Sequence, residues 1–574
     1  MKKRYLKSLG MSGLILLGGV LLPALVFPQA EPLYVTDQML RDADKDLGNW
    51  LLYGRDYASS RFSPLAQINP TNVKNLVLKW VFQFGVLDVQ QGQPMVNNGV
   101  LYVTSSFGRL FALDGRTGKL LWRYDHPLPE DIVTWAPTGA TNRGVAFYHD
   151  KVYLATLDAH VVALDARTGK VVWETVVDEY KKAINMNLAP LPVNGKIIVG
   201  MAWGDFASRG FLVALDAETG KEVWRTSTIP APGEPGGETW QDPEQKAWRY
   251  GGGATWLTGS YDPELNLLYW GVGNPAPAHD GLVRPGDNLY SDSTLALDPD
   301  TGKIQFYFQY TPHDVWDYDS NGPTLLTDVQ GRKAWLHGDK NGFFYAIDRT
   351  NGKCLYAVPV VRITWAKGLD TNCRPIVNPE KLLSRDRVTT DIAPSRAGGV
   401  PWYPMAYSPR TGYVYVPTTE ISIDLQARSE APKPGYPYPG AQVIRTSRPG
   451  NGALKALDAQ TGQVIWVANQ RSPIWSGVLA TGSDLVFAGT PEGEFRAYHA
   501  RTGELLWRFQ TGSGIHGGPA TFLVDGKQSI AVPSGGGGPS RINAARGGTP
   551  WLKDAAPGGA LFVFGLHEEE SVAH

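Results

Sequence analysis

Cysteine is nearly absent from this 574-residue chain, which has only Cys354 and Cys373. No Cys-x-x-Cys-His occurs, so the chain carries no covalent c-type haem of its own. An excess of either charge is also missing: 54 Lys and Arg stand against 55 Asp and Glu, for a net charge of −1. Bulk charge therefore offers no attraction to nucleic acid or to an anionic membrane. The one long apolar run, Met11 to Phe27, is 17 residues, holds glycines and a proline, and follows Lys2, Lys3, Arg4 and Lys7. A spanning helix needs roughly 20 apolar residues, so residues 1–30 read as a signal peptide and 31–574 as an exported mature chain. In an oxidising compartment the two cysteines, 19 residues apart, are expected to pair in one disulfide, with two buried thiols as the alternative.

Turn residues and tryptophan are abundant instead: 65 Gly, 42 Pro and 19 Trp indicate a turn-rich all-β chain. One phrase recurs, Ala-Leu-Asp, a turn with Thr-Gly, then a hydrophobic pair ending in an aromatic. Its copies start at Ala112, Ala163, Ala214, Ala296, Ala346, Ala456 and Ala497, in steps of 51, 51, 82, 50, 110 and 41 residues. Each copy follows alternating β-formers, so it reads as strand, tight turn, strand. Gly supplies the positive φ, Asp bonds the turn backbone, and Trp fills the wedge between units. Such repeats make a β-propeller. A degenerate copy at Tyr407 to Val416, inside the longest step, brings the count to eight blades, with seven as the alternative. The region around Trp80 is expected to close the ring by pairing with the C-terminal strands. The two long steps mark the loops where function is sought.

Two segments carry chemistry. In Thr311 to Asp319, TPHDVWDYD, four ionisable side chains fall within seven positions. Asp317 and Asp319, at i and i+2, face one side of an extended strand, a spacing suited to a hard cation. A solvated acidic loop is the plain alternative. In Gly251 to Pro277, glycines permit close backbone approach, Trp256 offers a flat face and Asn274 a carbonyl oxygen. A core Trp and a turn-capping Asn are the plain alternatives there.

The chain resembles the quinoprotein alcohol dehydrogenases, the pyrroloquinoline quinone (PQQ)-dependent family of methanol and ethanol dehydrogenases. The resemblance rests on Gly251-Gly-Gly, Gly273-Asn274-Pro275-Ala276-Pro277, Arg284-Pro-Gly-Asp-Asn288, Thr311-Pro-His-Asp314 with Trp316-Asp317, and Trp475-Ser-Gly with Leu479-Ala-Thr-Gly. It implies an eight-bladed propeller in the periplasm that passes electrons from a small alcohol to PQQ, then to a soluble c-type cytochrome or other external acceptor. By position it implies Asp317 as catalytic base. Asp205, Asn274, Asp317 and Asp319 are the implied ligands of Ca2+ or a lanthanide ion. Arg143, Thr156, Trp256, Lys340 and Trp475 are the implied PQQ contacts. Asp205 stands where the family usually has Glu, and Asp319 stands where the lanthanide-using branch has an extra acidic ligand. Departures are also present: Gln91, Ala202, Ala254 and Pro401 replace polar family residues, and Pro137-Thr138 replaces two adjacent cysteines. The alternative reading is a non-catalytic or degenerate propeller acting as a binding or assembly scaffold; a plain scaffold lacks such a metal constellation.

Overall fold

The computed structural model describes residues 31–136, 139–446, 450–536 and 549–567. The signal-peptide reading of residues 1–30 and the substitution at Pro137-Thr138 lie outside them.

The repeat phrase is a β-hairpin built the same way each time. In all seven copies the opening Ala pairs across the strands with the closing aromatic, as in Ala112 with Trp122 and Ala296 with Phe306. The small side chain sits opposite the large one. In the first copy Asp114 Oδ1 accepts the backbone N–H groups of Arg116 and Thr117 at 3.1 and 2.8 Å, and Gly118 follows at φ +72°. The aspartate thus satisfies the turn, and glycine takes the left-handed position without steric cost.

The closing Trp links each hairpin to the next. Trp122 Nε1 donates to the Ala166 carbonyl at 3.1 Å, Trp173 to Ala217 at 3.1 Å, and Trp466 to Ala500 at 2.9 Å. Its ring lies flat on the glycine of the next copy: a Cβ on Gly169 would come within 2.5 Å of Trp122 Cε3. One phrase therefore encodes both the turn and the seam between sheets.

The result is an all-β, propeller-type fold with two short helices, Asp37–Arg41 and Ile132–Trp135, among the described residues. Seven sheets have four strands and one has five. Strand Leu76–Gln83 pairs antiparallel with Ala560–Leu566, so the N-terminal region around Trp80 joins the C-terminal strands as expected.

The degenerate copy behaves differently from the sequence expectation. Its turn joins Ala406–Ser408 to Tyr413–Glu420, and these strands share one sheet with Asn451–Asp458 and Val464–Gln470. It belongs to the sheet of the copy at Ala456 and forms none of its own. The rest of the long step builds two small extra sheets, Ala366–Leu369 with Pro375–Val377, and Thr389–Ile392 with Ile423–Ala427 and Ala441–Thr446. Cys354 and Cys373 form a disulfide that ties the strand Cys354–Pro359 to the first of these.

Candidate active site

A cavity of about 800 Å3 draws its walls from residues far apart in sequence. Arg143, Asp205, Trp256, Asn274, Asp317, Asp319, Lys340 and Trp475 all line it. The long step after Ala346 supplies Ser395, Arg396, Pro401, Trp402 and Tyr403 to the same wall. Both long insertions therefore reach one site.

The acidic segment is a loop and not the extended strand expected from the i, i+2 spacing. Asp314 organises it. Its two carboxylate oxygens accept the backbone N–H groups of Trp316 at 2.7 Å and Tyr318 at 2.8 Å, while Arg284 donates to its carbonyl at 2.6 Å. Asp317 sits in the left-handed region at φ 67°. That turn brings Asp317 and Asp319 to one cation: Lys340 Nζ donates to Asp317 Oδ1 at 3.1 Å and to Asp319 Oδ2 at 2.9 Å.

Across the cavity Asn274 joins the second acidic group. Its side-chain nitrogen donates to Asp205 Oδ1 at 2.7 Å, and its backbone N–H to Asp319 Oδ1 at 3.2 Å. Trp256 Nε1 approaches the same Asp319 oxygen at 3.4 Å. Gly273 makes the approach possible, since a Cβ there would strike Asp319 Oδ1. Three carboxylates and one amide make an all-oxygen donor set that matches a hard cation. The three carboxylates do not all come within 4.8 Å of one another, and Lys340 bridges two of them.

Electrostatics follow from burial. Removal from water pushes the Asp317 carboxyl well above the usual carboxylate range; Lys340 opposes this, and Asp205 and Asp319 add to it. Asp205 is raised by burial first and by Asp319 second. Burial pulls Lys340 down, but Asp317 and Asp319 outweigh it and hold the ammonium above its ordinary value. The cluster is short of positive charge for its depth.

The remaining wall is aromatic and cationic. The Arg143 guanidinium lies 4.9 Å from the Trp256 ring centre and 4.6 Å from that of Trp402. Arg143 Nη1 donates to Asn187 Oδ1 at 2.7 Å, while its buried Nε has no protein partner. Trp402 stacks on Tyr403 at 3.9 Å, and Trp475 on His516 at 5.9 Å. Flat rings and a half-satisfied guanidinium suit a planar, polyanionic ligand.

Thr156 is the exception among the expected contacts. It is buried away from the cavity, where its hydroxyl donates to Asp158 at 2.5 Å and accepts the His160 N–H at 3.1 Å. Asn187, which the sequence reading missed, occupies the place beside Arg143. Arg396, Trp402, Tyr403 and His516 were missed as well. Trp402 and Tyr403 adjoin Pro401, one of the departures from the family pattern, which lines the cavity together with Gln91 and Ala202.

Residues 50–368 match the family model described as glucose/ethanol/alcohol dehydrogenase, beta-propeller domain, with the PQQ designation. Residues 450–568 match the model of outer membrane protein assembly factor BamB. Quinoprotein alcohol dehydrogenase PedH of Pseudomonas putida is 40% identical over 96% of each chain. The lanthanide-dependent methanol dehydrogenase of Methylacidiphilum fumariolicum is 37% identical over 88% of this chain and 87% of that one. Among solved structures, a europium-containing methanol dehydrogenase superposes with TM-score 0.86 at 35% identity, covering 92% of this chain and 100% of that one. The quinohemoprotein alcohol dehydrogenase of Comamonas testosteroni gives TM-score 0.87 at 34% identity, covering 94% and 84%. By sequence along nearly its whole length and by fold, this chain belongs to the PQQ-dependent quinoprotein alcohol dehydrogenase family.

Proposed function

We propose that the chain is an eight-bladed, periplasmic enzyme that oxidises a small alcohol to an aldehyde with PQQ and a bound hard cation. Electrons then leave to a soluble c-type cytochrome or another external acceptor. The observation that carries the reading is the convergence of Asp205, Asn274, Asp317, Asp319 and Lys340 on one aromatic cavity.

The residues fit both groups. Asp205, Asn274, Asp317 and Asp319 would hold the cation, and Arg143, Trp256, Lys340 and Trp475 the quinone. When bound, the quinone supplies a two-electron acceptor for the substrate's C–H hydrogen, and the cation supplies positive charge against it.

The chain's own part is placement and proton handling. Asp317 takes the hydroxyl proton on a carboxylate oxygen, and its left-handed backbone holds that oxygen toward the cavity. Lys340 keeps Asp317 and Asp319 in register through one ammonium. Trp256, Trp402 and Trp475 exclude water from the proton's path. Asp319 adds a charge that favours a lanthanide over calcium and makes up for the short Asp205.

The test is dye-linked alcohol oxidation by the purified chain after addition of PQQ with Ca2+ or with a light lanthanide. Turnover of methanol or ethanol is expected, and more of it with the lanthanide. Absence of turnover with both ions would overturn the enzymatic reading.

A further inference from the structure

Behind the wall that carries Arg143 and Asn187, three metal-binding side chains gather that the central cavity does not use. His126 follows strand Leu120–Asp125 of one sheet. Asp158 lies in the hairpin joining Lys151–Ala155 to His160–Asp165 of the next sheet, and His160 opens the second of those strands. One ligand atom from each comes within 4.8 Å of the others, the only such gathering of three or more His, Cys, Asp or Glu among the described residues.

Each donor is aimed by an outside partner. His126 Nε2 lies 3.0 Å from both Asp158 oxygens, and its Nδ1 lies 3.2 Å from the Tyr124 hydroxyl. His160 turns its Nδ1 to Glu174 Oε1 at 2.5 Å, which leaves Nε2 directed at Asp158. The Thr156 hydroxyl donates to Asp158 Oδ1 at 2.5 Å. A carboxylate or hydroxyl on the far nitrogen of a histidine is the arrangement that fixes ring orientation in metal sites.

An ion pair alone does not account for this geometry. His126 Nε2 lies against both Asp158 oxygens, and His160 Nε2 stands 3.8 Å from Asp158 Oδ2, beyond hydrogen-bond range. Yet the ring is still held with that nitrogen inward.

We propose that His126, Asp158 and His160 form a second metal site, for a divalent transition ion such as Zn2+. Two imidazole nitrogens and one carboxylate oxygen are a borderline-soft set that prefers zinc to calcium or a lanthanide. His126 and Asp158 are buried, whereas the His160 side chain is 23% exposed and provides the entry path and room for a water ligand. The ion would pin two neighbouring sheets at the back of the cavity. The Thr156 carbonyl accepts the Met186 N–H at 3.0 Å, one residue before the Asn187 that holds Arg143. The site is thus structural, acting on the wall and not on the reacting atoms.

The experiment compares the full-length mature chain with a His126→Gln/His160→Gln variant after equilibrium dialysis against Zn2+. Metal analysis should find one more zinc per chain in the unaltered protein, and Zn2+ should raise its Tm more than that of the variant. Equal zinc contents would overturn the proposal. Should the variant fail to fold, the unaltered chain provides a second readout: diethylpyrocarbonate labelling of His160, mapped by mass spectrometry. Zn2+ is expected to block labelling and Ca2+ to leave it unchanged; undiminished labelling with Zn2+ would equally refute the site.

Discussion

The turn of the repeat and the turn of the acidic loop use one device for opposite ends. In the first, Asp114 accepts two backbone N–H groups and the left-handed position falls to Gly118 at φ +72°. In the second, Asp314 accepts two backbone N–H groups and the left-handed position falls to Asp317 at φ 67°. A residue with a Cβ gives up about 1 kcal/mol or more in that conformation. The repeat avoids the cost with glycine. The cavity accepts it, and the turn places a carboxylate in its wall.

Asp317→Gly breaks the comparison most severely. It makes the acidic loop resemble a repeat turn, so the backbone relaxes while the carboxylate disappears. Turnover should fall by about 1,000-fold, within the range for loss of a general base, while Tm stays level or rises. Steady-state assay and thermal melting of the same preparation check both halves. Retained turnover would remove Asp317 from the role of base, and a large drop in Tm would show that its backbone is not strained.

The reverse change belongs to the repeat. Gly220 lies at φ +69°, and a Cβ there would come within 2.6 Å of both Thr175 Oγ1 and Trp173 Cε3. Gly220→Ala therefore adds left-handed strain and overpacks the seam. The expected loss is about 2–4 kcal/mol of stability, read by denaturant unfolding, with little change in the KM for alcohol. A neutral outcome would mean that the ring of Trp173 shifts freely and that the seam is not close-packed.

The two turns also differ in how far sequence reveals them. The repeat was legible because it is local and recurs: Asp, Thr-Gly and Trp lie within one hairpin, and the Trp meets the next copy of the same phrase. The degenerate copy at Tyr407 misled because Thr-Gly also suits an ordinary hairpin turn, here the one between Ala406–Ser408 and Tyr413–Glu420. Motif position pointed to Asp205, Asn274, Asp317 and Lys340, which line one cavity, but the partners that aim them come from distant loops. Asn187 meets Arg143 across 44 residues, and nothing in its neighbourhood announces this. Thr156 sits in a hairpin outside the cavity wall, where its hydroxyl donates to Asp158. Asp314 was read as one of four ionisable side chains, whereas its part is to shape the loop.

Asp319 sharpens the comparison more gently, because it separates charge from shape on the same loop. Its Oδ2 accepts from Lys340 at 2.9 Å, and its Oδ1 from the Asn274 backbone at 3.2 Å and from Trp256 Nε1 at 3.4 Å, so removing the side chain alters three contacts as well as a charge. Asp319→Asn keeps the volume and one acceptor oxygen and cancels the charge, at the cost of the other accepting oxygen. Coulomb attraction scales with the product of the charges, so a trivalent ion loses half as much again as a divalent one when a ligand becomes neutral. Lanthanide-supported turnover should then fall about tenfold relative to calcium-supported turnover, a difference of about 1.4 kcal/mol. The measurement is apparent activation constants for each ion, with PQQ saturating, in the unaltered chain and in the variant. Equal losses with both ions would confine Asp319 to positioning Lys340 and would leave the preference for a lanthanide without a residue to carry it.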